Sequence, residues 1–320
     1  MLGIWATPLE QGLAYAVLVL GVYLTFRILD YPDLTVDGSF PLGAAIAATA
    51  ITRGIDPLVA TLMGFLGGAI AGAFTGLLHT KLKISGLLAG ILTMTGLYSV
   101  NLRVMGGRSN VPLLREDTLV TLAQARFGFA WGAIILFVAF VLLIKLLLDY
   151  FLHTEVGLAL RACGDNEKMI RALGVDTDLY KIFGLALSNG LVGMAGSLIA
   201  QYQAFADVGM GIGTVVAGLA SVILGEALLK PKTIMSATLS AIVGSILYRF
   251  TITLALRAGF AATDLRLVTA VLVIVALSVP KIKELPFFKK TVQEKESTQN
   301  KKVYNQQASV LMGSEKHASD

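Results

Sequence analysis

Charge is scarce in this sequence. Of its 320 residues only 15% are Asp, Glu, Lys or Arg, while 55% are hydrophobic; a soluble domain carries about 25% charged residues. A chain this apolar cannot cover its own surface with polar groups, so water is the wrong solvent for most of it. That excludes a soluble enzyme, a secreted disulfide scaffold and a disordered protein. Cysteine is nearly absent: Cys163 alone leaves no internal disulfide and no Cys-rich metal site. The three histidines, His79, His153 and His317, are too scattered to mark a metal cluster. No Gly-x-x-x-x-Gly-Lys-Ser/Thr loop is present, so the chain lacks the backbone cradle that holds nucleotide phosphates. Nor does it offer the paired intramembrane Asp, His cluster or Ser with a base that an intramembrane enzyme needs. The formal charge of +5 matters here by its placement, and no nucleic-acid partner is expected.

What is abundant is apolar chain. Stretches without Asp, Glu, Lys or Arg run over 11–26, 38–52, 57–80, 84–102, 127–144, 182–206, 208–225, 233–248 and 267–280. A spanning helix needs about 20 mostly apolar residues, because the hydrocarbon layer is about 30 Å thick and each helical residue rises about 1.5 Å. The segments 57–80, 84–102, 127–144 and 182–206 satisfy this alone, and most of the others once their flanks are included. Ser39 to Thr52 is short and rich in Gly and Ala, and reads as a broken or re-entrant element shielded by protein. The expected fold is an all-α polytopic membrane bundle of eight or nine transmembrane helices. The first apolar stretch has no basic n-region and no small-residue cleavage site before Arg27, so it is not read as a signal peptide.

Basic residues orient the bundle. The fifteen lysines fall into Lys81 and Lys83; Lys145, Lys168 and Lys181; Lys230 and Lys232; and eight from Lys281 to Lys316. Alternating spans put all four regions on one side, expected to be the cytosol of a multi-pass cell-membrane protein. Arginines at 108, 115, 126, 257 and 266 lie on the other side. Nine spans place the N-terminus outside; eight with a re-entrant 39–52 place it inside. The organisation expected is a transmembrane domain over 1–280 and a polar cytosolic tail over 281–320, too poor in apolar surface to offset chain entropy and expected to be disordered.

Gly64, Gly68, Gly72 and Gly76 recur at a spacing of four in one expected helix. Lipid is as apolar as leucine, so burial does not drive helices together there; small residues do, by letting backbones approach. This strip predicts a central, tightly packed helix. The Gly209–Gly213 run predicts a bend at the outer mouth.

The 145–181 segment is too polar to span and too patterned to be a plain linker. Asp165 is suited to N-cap a short helix, Glu167 and Arg171 suit its dipole, and Gly174 suits its stop. Met169, Ile170 and Leu173 form one apolar face flanked by Lys168 and Arg171. A short capped rod with an apolar ridge and charged edges fits a groove on another protein.

The run Gly157-Leu-Ala-Leu-Arg-Ala-Cys-Gly-Asp-Asn-Glu-Lys-Met-Ile-Arg-Ala-Leu-Gly-Val175 resembles the cytosolic signature of permease subunits of bacterial ABC importers of the branched-chain amino acid and ribose type. Three further stretches are similar to the subgroup paired with tryptophan/tyrosine-type substrate-binding lipoproteins. They are Asp33-Leu-Thr-Val-Asp-Gly-Ser-Phe-Pro-Leu-Gly43, Lys83-Ile-Ser-Gly-Leu-Leu-Ala-Gly-Ile-Leu-Thr-Met-Thr95 and Gly218-Leu-Ala-Ser-Val-Ile-Leu-Gly-Glu-Ala-Leu228. The resemblance covers residues 10–280. Where the sugar branch has a Gly-Gly turn, Gly225-Glu226 stands, which argues against a sugar permease. The resemblance implies import of a small solute, an amino acid with aromatic side chains preferred, by alternating access. It implies a cytosolic ATPase that carries ATP and Mg, an extracellular lipoprotein, a second permease copy forming a homodimer, and no cofactor on this chain. It also places Arg161, Asp165, Asn166, Glu167, Met169, Ile170, Leu173 and Gly174 in coupling to the ATPase.

Polar groups inside spans are costly and often functional. Asn101, Asn189, Gln201 and Gln203 are candidates for lining a translocation path or for bridging helices, and Arg249 is a further path candidate. Snorkelling, a neighbouring carboxylate partner, a substrate carboxylate or a carboxylate on the docked lipoprotein would each account for Arg249. Asp37 is expected to cap the 39–52 element, and Glu226 to bridge to Lys230 or form an inner gate. An ion- or proton-coupled carrier is the competing class; such carriers show repeated halves and midplane charges, and no repeat is evident here.

Overall fold

Small residues decide which helices sit at the centre. The structure, a computed structural model, describes residues 2–129, 131–259, 267, 269–271 and 274. Its elements, in one compact unit, are α1 (Leu2–Tyr23), continued as a wider π turn over Leu24–Ile28, α2 (Val36–Ile51), α3 (Pro57–Thr80), α4 (Gly86–Val104), β1 (Asn110–Pro112), α5 (Leu119–Phe127), α6 (Gly132–His153), α7 (Glu155–Asp165), α8 (Glu167–Ala172), α9 (Thr177–Gln203), β2 (Phe205–Asp207), α10 (Thr214–Leu229) and α11 (Ile234–Arg257). Six described helices are long and apolar enough to span: Ala6–Ile28, α3, α4, α6, α9 and α11. The apolar helices α2 and α10 are shorter than that. The expected span over 267–280 lies almost wholly outside the described residues, and the 281–320 tail lies outside them entirely.

The chain is a helical membrane bundle with α9 at its axis. A Cβ on Gly68 or Gly72 would overlap the carbonyl of Asn189 or Leu185, and one on Gly64 would overlap the Ser197 hydroxyl. A Cβ on Gly76 would stand 2.8 Å from the Ile182 Cα. All four glycines of the strip therefore lie against α9. Likewise Gly43 and Gly196 join α2 to α9, and Gly225 and Gly244 join α10 to α11, each backbone against backbone. Such approach gains dispersion contacts that larger side chains would prevent.

Two ends can be told apart. Tyr31 donates to the Gly86 carbonyl at 3.1 Å, Thr238 to Asp149 at 2.7 Å, and Arg27 pairs with Glu226, all at the end that carries Lys81 to Lys232. At the opposite end Tyr202 donates to Glu10 at 2.8 Å, and β1 pairs antiparallel with β2, Val111 opposite Ala206. This two-stranded ribbon, three residues a side, was not anticipated from the sequence; it is too short for an alternating pattern.

α2 is about 24 Å long at 1.5 Å per residue, short of a full span. Its Gly38 lies against Met94 and Leu97, halfway along α4, and its Thr49 donates to the carbonyl of Val104 at the far end. Irregular backbone over 29–35 supplies the rest of the crossing. The chain therefore passes from the lysine-bearing end to the opposite end and does not return as a re-entrant loop. Thirteen of the sixteen α2 residues are buried, so the irregular entry is shielded by protein, as membrane depth requires. Asp33 and Asn189 satisfy it. Asp33 accepts from the Thr35 amide at 2.9 Å and from the Asn189 amide at 2.6 Å, and Ser39 donates to the Asn189 Oδ1 at 2.7 Å.

Candidate functional site

At the lysine-bearing end, α6 runs into α7, which Thr154 caps through the Gly157 amide at 3.3 Å. α7 continues through Asp165, so Asp165 does not cap the next helix as expected. Asn166 does, its Oδ1 accepting from the Met169 amide at 3.1 Å. Both types cap well; Asp165 is already the last residue of α7, so the next position takes the role. α8 ends in the Schellman pattern. The Gly174 amide donates to Arg171 at 3.1 Å and the Val175 amide to Ile170 at 3.4 Å, with Gly174 at φ +86°.

The Met169 and Leu173 side chains are exposed, 58% and 69%, and Ile170 is half-buried beside them. Asp165 and Asn166 are exposed and Arg161 is half-buried on α7. Glu167 turns inward. It pairs with Lys181 of α9 at 2.7 Å and with Arg171 at 3.1 Å, while Arg171 also reaches Asp178 at 2.6 Å. Lys181 holds the Glu167 carboxyl below the usual carboxylate range, with partial burial opposing it and Thr177 and Arg171 adding to it. A Cβ on Gly164 would overlap the Ile28 carbonyl. α7 therefore bears on the end of the first span, while Glu167 ties α8 to α9.

The membrane candidates Asn101, Asn189, Gln201 and Arg249 are not brought together. Asn189 sits inside the α2–α9 seam with both amide ends occupied. Gln201 bridges three helices, donating to Thr61 at 2.8 Å and accepting from the Leu119 amide at 3.0 Å. It borders a cavity of about 610 Å³ with Glu10 and Tyr202. Asn101 donates to the Gly38 carbonyl at 3.3 Å, its buried Oδ1 has no partner among the described residues, and it borders a cavity of about 310 Å³ beside Asp37 and Tyr98. The Arg249 guanidinium lies 3.5 Å from the centre of the Tyr15 ring and 5.9 Å from that of Tyr248. No ion pair to Arg249 occurs among the described residues.

Two expected partners are corrected. Glu226 binds Arg27, whose Nε reaches Oε1 at 2.8 Å, rather than Lys230, which lies past the helix end in the left-handed region. Asp37 does not cap its own helix. It accepts from the Gly213 amide at 3.0 Å, the Val215 amide at 2.8 Å and the Thr214 hydroxyl at 2.9 Å, and so caps α10. The expected Gly209–Gly213 bend is thus the turn that starts α10 beside Asp37, with Gly213 at φ +86°. Among the described residues no group of three His, Cys, Asp or Glu could hold a metal ion.

Residues 6–277 match the family described as branched-chain amino acid transport system / permease component. Over 270 residues, 84% of this chain and 89% of the relative, it is 48% identical to the tyrosine transport system permease protein of Clostridioides difficile (strain R20291). It is 33% identical to an uncharacterised protein of Rickettsia prowazekii (strain Madrid E), over 89% of this chain and all of the relative. It is 28% identical to the autoinducer 2 import system permease protein LsrC of Yersinia pseudotuberculosis (serotype O:1b, strain IP 31758), over 69% of this chain and 60% of the relative. No solved structure matches. With six long apolar helices among its described residues, woven around a glycine-lined axis, the chain is a multi-pass membrane protein and belongs to the permease components of branched-chain amino acid-type transport systems.

Proposed function

We propose that this permease is the membrane subunit of an ATP-driven importer, and that its solute is an amino acid with an aromatic side chain preferred. The observation that carries the ATP-driven part is α8. A capped turn projects Met169 and Leu173 into solvent while its base is tied to α9 through Glu167 and Lys181. Burying each of those side chains in a partner's groove contributes about 1.5–3 kcal/mol. The partner it fits is a cytosolic ATPase that holds the ATP and its magnesium. Force on α8 reaches α9 through the Glu167 ion pair, and force on α7 reaches the first span where Gly164 meets Ile28. Both spans cross the core, so closure of two ATPases would rock them and open the path alternately to each side. An external lipoprotein delivers the solute, and a second copy of this chain completes the channel. The aromatic preference is supported by the relative named as a tyrosine transport permease.

The test is reconstitution of the chain with its neighbouring ATPase and binding protein in liposomes. Tyrosine uptake that requires ATP supports the proposal. The Leu173→Asp variant is expected to insert normally yet lose ATPase binding and uptake. Normal uptake by that variant would overturn the coupling role.

A further inference from the structure

Arg249 stands eight residues before the end of α11 at Arg257, about 12 Å inside the span. A cation at that depth needs a reason. Its face is covered by the Tyr15 ring, but among the described residues its buried Nε finds no acceptor and no carboxylate pairs with it. Beside it opens a cavity of about 430 Å³ walled by Met210, Ile212, Val216 and Ile252, with the Tyr248 and Thr214 side chains at its edge. That size suits one small solute. The start of α10 borders the same cavity, but its leading amides are already taken by Asp37. The hydroxyls on the cavity wall are engaged as well, Tyr248 with Thr269 at 2.8 Å and Thr214 with Asp37, so among the described lining residues Arg249 is the positively charged donor that meets an entering anion.

We propose that this cavity binds the carboxylate end of the transported solute, Arg249 holding the carboxylate while Tyr248 and the aliphatic wall receive an aromatic or bulky apolar body. The proposal rests on the reading of the chain as an amino acid importer and adds where the solute is held. A guanidinium donates two parallel bonds to a carboxylate, which fixes orientation as well as charge. The ring already stacked on Arg249 holds its plane in place before the ligand arrives, so less side-chain freedom is lost on binding.

The test uses the purified full-length chain in detergent and thermal unfolding. L-Tyrosine and 3-(4-hydroxyphenyl)propionate, which share the carboxylate, are expected to raise the unfolding temperature. Tyramine and L-tyrosinamide, which lack it, are not. In Arg249→Gln the half-saturating concentration is expected to rise roughly tenfold or more, the order for losing a charge-assisted bond, with partial retention in Arg249→Lys. Val216→Trp, which fills the cavity and leaves Arg249 in place, gives the same loss should the Gln variant fail to fold. Equal stabilisation by tyramine, no stabilisation by any of the four, or stabilisation by short-chain phosphatidylglycerol in place of L-tyrosine would each overturn the proposal. ATP-dependent tyrosine uptake with no Arg249-dependent binding would sink this site alone; binding without such uptake would sink the importer reading and leave the site standing.

Discussion

The carboxylate of Asp37, in the first turn of α2, accepts the hydroxyl hydrogen of Thr214, in the first turn of α10, at 2.9 Å. Two short helices thus begin side by side in the middle of the bundle and run to opposite ends. Each exposes the positive end of its dipole there, and one carboxylate answers the α10 terminus. Asp37→Ala leaves the Gly213 and Val215 amides without their acceptor. The expected loss is about 1–3 kcal/mol of stability, the cost of stranded partly buried donors, with a smaller loss in Asp37→Asn, which keeps one acceptor. Thermal unfolding in detergent measures both. An Ala variant as stable as the wild type would mean that water serves the α10 terminus instead.

The glycine strip predicts a sharp contrast between two positions. At Gly68 a Cβ would overlap the Asn189 carbonyl, whereas at Gly96 on α4 nothing lies within 4 Å. Gly68→Val forces α3 away from α9, and overpacking of this kind costs typically about 1–3 kcal/mol or more where the obstacle is backbone. Gly96→Ala meets open space and is expected to be neutral or to stabilise by up to about 1 kcal/mol through helix propensity. Folded yield in the membrane and unfolding temperature should separate the two, and similar behaviour would contradict the α3–α9 seam.

What could be read in the sequence was what local spacing encodes. The period of four along α3 marks a face directly, and the rod between Asn166 and Gly174 declares itself by its caps and apolar ridge. Its start lies one position beyond the one Asp165 suggests, because Asp165 and Asn166 are both capping types and α7 running through Asp165 leaves the role to Asn166. Long-range partners were not legible. Lys230 is the local choice for Glu226, but Arg27, 199 residues away, takes it through a two-pronged bond. Asp37 meets α10 across 177 residues, and Tyr15 meets Arg249 from another helix. No spacing rule carries such contacts; an aspartate in an otherwise apolar run was the available signal.

The α8 anchor should be pH-sensitive, with a definite sign. Glu167 lies below the usual carboxylate range in the folded protein because Lys181 hydrogen-bonds to it. A depressed carboxylate contributes stability that is fully present above its unfolded pKa and is lost as pH falls through the folded value. The anchor should therefore hold at neutral pH and loosen below about pH 4, where an ordinary glutamate titrates. Limited proteolysis across 166–178 reads this directly: protected at pH 7, cut faster in acid. In Glu167→Gln, cleavage should be faster at pH 7 and show little further change on acidification. An unchanged pH profile in that variant would assign the acid response to another group.

Cys163 gives a probe of the same region without a new label. It is 3% exposed on α7, and burial, aided by the Glu167 charge, pushes its thiol above the ordinary value, with Lys181 and Arg171 opposing. Thiolate is the reactive form, so both access and chemistry oppose alkylation in the folded state. A maleimide at pH 7 is expected to label the native protein at a small fraction of the rate seen in denaturant. Glu167→Gln should raise that rate twice over, by removing the charge that helps hold the thiol up and by releasing α8 from α9, and the second contribution is read from labelling by an uncharged bulky maleimide relative to a small one. Rapid labelling of the wild type at a rate equal to the denatured chain would mean that α7 leaves its seat spontaneously, and the route from α8 to the membrane helices would then lack the rigid link it requires.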